Sequence, residues 1–248
     1  MSRLHRVTLF AIATTAVAFG QGYFPHVTWG GGWQMDVRVV NLDSATTAAA
    51  TLSFYDNSGK PLSVPINGTT VAGTYNFTIP PSGAATLSSP ADGSSVEGWA
   101  RLDTNGGEVA GLVMFTYHTT GKSDFSATIP FVADGSSCII SIPASTPQYA
   151  IPFDNSSGNA TAIAFANADS GTANPTVALY DESGTLIASA KLSLTAKGHS
   201  SFMLADKFPG ATGKRGTISV QADIKKAGML ALLVLPNGTI TTLLPLGQ

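Results

Sequence analysis

Residues 41 to 62 read "NLDSATTAAATLSFYDNSGKPL" and residues 167 to 187 read "NADSGTANPTVALYDESGTLI". The shared pattern "NxDS…T(L/V)xxYDxSG" needs only one gap, and an internal repeat constrains the fold more than any composition does. The likeness continues along the chain. "PPSGAATL" from Pro80 lies opposite "TAKGHSSF" from Thr195, "EGWARL" from Glu97 opposite "RGTISV" from Arg215, and "VAGLVM" from Val109 opposite "MLALLV" from Met229. The repeat divides the chain into residues 21–146 and 147–248, joined through "IPASTPQ", whose two prolines stiffen a short connector. Units of ~100 to 125 residues are the size of ordinary domains.

Within each unit the hydrophobic period is two. "ATLSFYD" puts Ala50, Leu52 and Phe54 on one face, and "DVRVVN", "TYNFTI", "EGWARLD", "ATAIAFA", "PTVALYD" and "GTISVQA" alternate in the same way. Turn signals such as "DNSG", "NGT", "PPSG", "TNGG" and "DESG" separate these runs, and only "LADKFPG" looks helical, with room for one turn before Pro209 ends it. Short alternating strands with regular turns predict an all-β chain of two tandem antiparallel β-sandwiches.

The stretches "YFPHVTWGGGWQMDVRVVNLDSATTAAATLSFYDNSG" and "IPFDNSSGNATAIAFANADSGTANPTVALYDESG" resemble a module of exported bacterial proteins, immunoglobulin-like in build and often found as a pair. The resemblance covers nearly all of the chain after its first 20 residues. It implies a fold and a compartment, and it brings no catalytic residues.

Residues 1–20, "MSRLHRVTLFAIATTAVAFG", set Arg3 and Arg6 ahead of an apolar run and end in small residues, as a cleavable signal peptide does. The run falls short of the ~20 residues a membrane helix needs, so Gln21 is the expected new N-terminus and no stable membrane insertion is expected after cleavage. The expected location is secreted, periplasmic or cell-surface. Of 13 basic residues in the whole chain, removal of Arg3 and Arg6 leaves 11 against 15 acidic ones, a net charge of −4. Mild acidity of this kind argues against nucleic-acid binding. Cys138 is the only cysteine, so no intrachain disulfide forms, and its neighbours in "SSCIISIP" favour a buried thiol.

Chemistry-bearing patterns are sparse. His5, His26, His118 and His199 lack metal-ligand spacing, and no GxSxG elbow occurs. The acids Asp36, Glu97, Asp103 and Glu108 are candidates for paired-carboxylate glycoside hydrolysis, although Asp36 alternates outward from Val37. "YDNSG" and "YDESG" put Asp56 and Asp181 in hairpin loops that lack the closing Glu of a calcium loop, and "DNSSGN" from Asp154 is a further oxygen cluster.

The sequence therefore points to no enzyme, no catalytic residue, no metal and no cofactor. It points to a structural, adhesive or protein-interaction role whose partner is an extracellular protein or a polysaccharide. The alternative is a carbohydrate-binding module in which Trp29, Trp33, His26 and Tyr23, around the glycine triplet of "FPHVTWGGGWQ", form an aromatic platform. A secreted glycoside hydrolase ranks behind it. In the repeat "WGGGWQ" falls opposite "NSSGNA", so a bend is needed there whether or not a ligand binds.

Overall fold

A computed structural model describes residues 20–118, 124–133, 149–221, 227–243 and 245–247. The leader up to residue 19, Cys138 and the connector at 142–148 lie outside the described residues.

The chain is all-β, and every strand pairing is antiparallel. The first half contains β1 (Gln21–Trp29), β2 (Trp33–Asn41), β3 (Ala48–Tyr55), β4 (Ser63–Ile66), β5 (Thr69–Ala72) and β6 (Thr74–Ile79). It continues through β7 (Ala84–Ser89), β8 (Val96–Asn105), β9 (Val109–Tyr117), β10 (Phe125–Pro130) and β11 (Val132–Ala133). The second half contains β12 (Tyr149–Asp154), β13 (Ala160–Asn167), β14 (Thr176–Asp181), β15 (Leu186–Lys191) and β16 (His199–Met203). One helical turn, α1 (Leu204–Lys207), follows, and then β17 (Arg215–Gln221), β18 (Ala227–Val234), β19 (Ile240–Leu243) and β20 (Leu246–Gly247). As "LADKFPG" predicts, α1 stops before Pro209, which opens a short 3-10 turn.

Strand order repeats from one half to the other. The first half has sheets ordered β11-β1-β8-β3-β6 and β10-β9-β2-β7, and the second has β20-β12-β17-β14-β15 and β19-β18-β13-β16. Between each pair of sheets lies an apolar core. Met35, Val37 and Val39 meet Leu52, Phe54 and Leu102 in the first half, and Ile163 and Phe165 meet Val177, Leu179 and Ile218 in the second. Among the described residues the β4-β5 hairpin of the first half has no counterpart in the second; its tip bonds β7 through Asn67 N to Ser88 O at 2.8 Å.

Repeated residues do repeated structural work. The side-chain amide of Asn41 donates to the carbonyls of Thr46, Ile79 and Pro80, and that of Asn167 to the carbonyls of Gly171, Leu194 and Thr195. Asp56 Oδ1 accepts from Ser58 N, Ser58 Oγ and Lys60 N, and Asp181 Oδ1 accepts from Ser183 N, Ser183 Oγ and Thr185 N. The carboxylates in "YDxSG" therefore build hairpin turns. Val27 pairs with Gly98 as Phe153 pairs with Gly216, and at either glycine a Cβ would run into a carbonyl, that of Tyr55 or of Tyr180.

One correction concerns β18. Asn41 pairs with Val109 and Asn167 with Ala227, so Val109 corresponds to Ala227, two residues before the Met229 expected from the sequence. A slip of two keeps every side chain on its face, so alternation alone cannot detect it.

The halves also pack on each other. Ala164 and Leu230 of the second half join the core cluster of the first, and Tyr23, Trp99, Ala166 and Ala168 form a separate buried cluster across the junction. The outer face of β1 and β8 thus lies against the outer face of β13 and β18.

Candidate functional site

The four expected platform residues do not share one exposed surface. Trp29 is 4% exposed and belongs to the first-half core, where its indole cannot stack on a ligand. Tyr23 is buried at the junction, edge-on to Trp99 at 6.4 Å. His26 is buried as well. Trp33 alone is half-buried, tilted against Tyr117 at 4.7 Å.

The glycine triplet is a backbone device. Gly30, Gly31 and Gly32 have φ of 69°, 61° and 95°, three consecutive residues in the left-handed region that side chains disfavour. A Cβ at Gly30 would also run into the Ser94 carbonyl. In the second half Ser157 and Gly158 take φ of 53° and 80°, and Asn159 N bonds Ser156 O at 2.8 Å as Trp33 N bonds Gly30 O at 3.0 Å. The same tight crossing between sheets is built twice.

Where the structure gathers polar groups is the junction. Between Phe24 and Val27 the register of β1 shifts against β8, a bulge in which Phe24 pairs with Ala100 and Val27 with Gly98. In β12 the pairing is regular, with Ile151 on Ile218 and Phe153 on Gly216. The additional residue falls at Pro25-His26, and bulges of this kind re-aim a side chain. His26 accordingly turns edge-on to Phe115 and stacks on His199, with ring centroids 5.1 Å apart.

From His26 a chain of hydrogen bonds runs through the junction. His26 Nδ1 lies 3.1 Å from His199 Nε2, and His199 Nδ1 lies 2.7 Å from Asn57 Oδ1. Asn57 Nδ2 donates to Glu97 Oε1 at 3.0 Å, and Ser201 Oγ donates to Glu97 Oε2 at 2.5 Å. Only one proton arrangement satisfies every link when both imidazoles are neutral: His26 Nδ1-H donates to His199, and His199 Nδ1-H donates to Asn57. Burial pushes the His26 imidazole down to about 4, against an opposing pull from the Glu97 carboxylate. His199 falls well below its ordinary value, through burial first and then the neighbouring His26.

Beside the chain, Trp99 Nε1 donates to Lys197 O at 2.6 Å, Tyr55 stacks on Trp99 at 4.8 Å, and the Lys197 ammonium sits 5.0 Å over the Tyr55 ring. A cleft of about 300 Å³ opens next to His26, lined by the polar Glu97, Ser201 and Thr28 and by the apolar Trp33, Phe115 and Leu230.

This arrangement bonds side chains of the two halves to one another. Ser201 Oγ bonds a carboxylate, and both nitrogens of His199 are taken by His26 and Asn57, so His199 is not placed to draw a proton from the serine. Two more of the carboxylates considered for paired catalysis, Asp36 and Asp103, are held by separate partners. Asp36 takes Ser88 Oγ at 2.6 Å and Asp103 takes Arg101 Nε at 2.9 Å. Asp36 leaves the core side of β2 as expected, yet it is buried under Ser88 and Gln34. Asp154 spends Oδ1 on Ser156 and Oδ2 on Asn159. Among the described residues no group of three or more His, Cys, Asp or Glu side chains is placed to hold a metal ion.

Sequence reading missed Trp99, Asn57 and His199 as junction residues, although one signal was present. The outward positions of β2 are Asp36, Arg38 and Val40, whereas the matching positions of β13 are Ala162, Ala164 and Ala166. An outer face reduced to alanine marks close packing against another sheet.

No protein-family model matches the chain, and no curated protein matches it. Solved structures with some likeness include the Bacteroides uniformis β-glucuronidase, at 13% identity over 92% of this chain and 26% of that one, with a TM-score of 0.17. Another is Bacteroides uniformis β-glucuronidase 2 covalently bound to cyclophellitol-6-carboxylate aziridine, at 12% identity over 92% and 26%, with a TM-score of 0.18. The chain spans about a quarter of the length of either, and likeness at this level carries no argument about function.

Proposed function

We propose that the chain is an exported, non-enzymatic protein of two β-sandwich domains, residues 21–146 and 147–248, with a structural or adhesive role at or outside the cell surface. The observation that supports this most is the use made of the ionisable side chains at the junction. His26 bonds His199 directly across 173 residues of chain, and Asn57 links His199 to Glu97, which couples the halves mechanically. Rigid coupling of tandem sandwiches suits a load-bearing or spacing element. Its partner, an extracellular protein or a polysaccharide, would meet the loops or a sheet edge.

Fractionation of cells producing the chain, with intact-mass measurement, tests the compartment. A product starting at Gln21 outside the cytoplasm supports the reading, and a full chain starting at Met1 and confined to the cytoplasm overturns it. Deleting the gene is expected to reduce adherence of the producing cells to surfaces or to one another. Unchanged adherence and unchanged cell-envelope integrity would remove the structural and adhesive role.

A further inference from the structure

The junction inside the chain has two sides, and each side has an unused equivalent in the other half. The receiving side is the outer face of β1, β3 and β8, with Tyr23, Tyr55, Glu97 and Trp99. The register equates these with Ala150, Tyr180, Arg215 and Thr217 on β12, β14 and β17. The entering side is the outer face of β13 and β18, with Ala166, Ala168 and Leu230, and its equivalents are Val40, Leu42 and Leu112 in the first half.

On the second half the equivalent of the receiving face is an open groove of about 820 Å³, lined among others by Ala150, Pro152, Tyr180, Arg215 and Thr217. On the first half the equivalent of the entering face presents Val40, 39% exposed, and Leu42, 47% exposed. Leu186, 54% exposed, is the strand partner of Tyr180, which lines the groove. The large apolar side chains exposed among the described residues thus fall on these two faces, where exposed apolar surface marks an interaction site.

Side-chain size is exchanged between the two junctions. Within the chain, bulky Tyr23 and Trp99 on the receiving face meet small Ala166 and Ala168. In the second pair of faces the residues in the places of Tyr23 and Trp99 are small, Ala150 and Thr217, beside a Tyr180 that matches Tyr55, and those in the places of Ala166 and Ala168 are larger, Val40 and Leu42. Each pairing joins a large partner to a small one, as dense packing requires.

We propose that the protein associates head to tail. The face of β2 and β9 in one copy, led by Val40 and Leu42, docks in the groove over β12, β14 and β17 of the next copy, repeating between molecules the contact that joins the halves within one. The contact is heterologous, so it propagates into an open chain of copies and does not close as a two-fold dimer.

Protein purified from its own cells is examined by sedimentation and light scattering across a concentration series. Two variants accompany it, Val40→Asp/Leu42→Asp, which spoils the entering face, and Ala150→Tyr/Thr217→Trp, which fills the groove. Circular dichroism and thermal melting establish that both stay folded. Wild type is expected to grow with concentration through successive whole-number multiples of the monomer mass. Each variant alone is expected to remain monomeric, its self-association weakened at least about tenfold, the equivalent of ~1.4 kcal/mol. Mixed together, the variants still hold one intact face each, and are expected to give a 1:1 dimer that grows no further. A wild type that stays monomeric up to its solubility, one that stops at a two-fold dimer, or a mixture of variants that fails to pair overturns the proposal. Because the readout is association in solution, failure here leaves the exported, adhesive reading standing, and failure of the export test leaves this contact standing.

Discussion

His26 Nδ1 and His199 Nε2 meet at 3.1 Å across the junction, in a setting that holds both imidazoles below their ordinary value. In the unfolded chain each ring protonates near 6.5, so the folded protein binds fewer protons between that value and about 4. Stability is therefore complete above the unfolded value and declines as pH falls, by ~1.4 kcal/mol per pH unit for each histidine kept neutral. Thermal melts from pH 7.5 to 4.5 are expected to show this slope in the wild type and a flatter profile in a His26→Phe/His199→Asn variant. The turn carboxylates Asp43, Asp56, Asp154 and Asp181 are held below 3.8 and act under this window.

Trp99 is 1% exposed and fills the junction between Tyr23, Tyr55 and the Lys197 backbone. Trp99→Ala is expected to cost about 3–5 kcal/mol, the range for truncating a buried tryptophan. Chemical denaturation followed separately in each half should then show two transitions in place of one.

Gly30 and Gly184 have similar φ, 69° and 80°, yet nothing lies near a Cβ at Gly184 while the Ser94 carbonyl blocks one at Gly30. Gly184→Ala should therefore cost only the left-handed penalty of ~1–2 kcal/mol. Gly30→Ala should cost more, and equal losses in denaturant midpoint would show that the loop at 92–95 moves aside.

The Asn41 and Asn167 amides each hold three carbonyls. Replacing either by Ala leaves buried carbonyls unpaired, an expected loss of about 1–3 kcal/mol at each site by equilibrium unfolding. Because the sites belong to different halves, the double variant should lose the sum of the two.

Much of the fold was legible before any coordinates. The repeat located equivalent turns residue by residue: "PPSG" and "TAKG" place Ser82 and Lys197 at φ of 53° and 55°, and Gly83 N and Gly198 N bond Pro80 O and Thr195 O, both at 2.9 Å. Equivalence failed at β18, where the strands alternate without a distinctive residue and a shift by two leaves the pattern intact. The aromatic cluster around the glycine triplet misled for a related reason. Trp29 and Trp33 are four residues apart in sequence, but the left-handed crossing sends one into the core and the other, half-buried, to the lining of the cleft.

By itself the sequence determined the strands, their turns and the duplication, because period-two alternation and left-handed turn residues act within a few residues of chain. Tertiary structure alone decided that the outer face of β1 and β8 is covered and that His26 meets His199. Alternation shows which side of a strand turns inward, but the partner of its other side is chosen by packing between segments more than a hundred residues apart, and a bulge that adds one residue to β1 aims the histidine there.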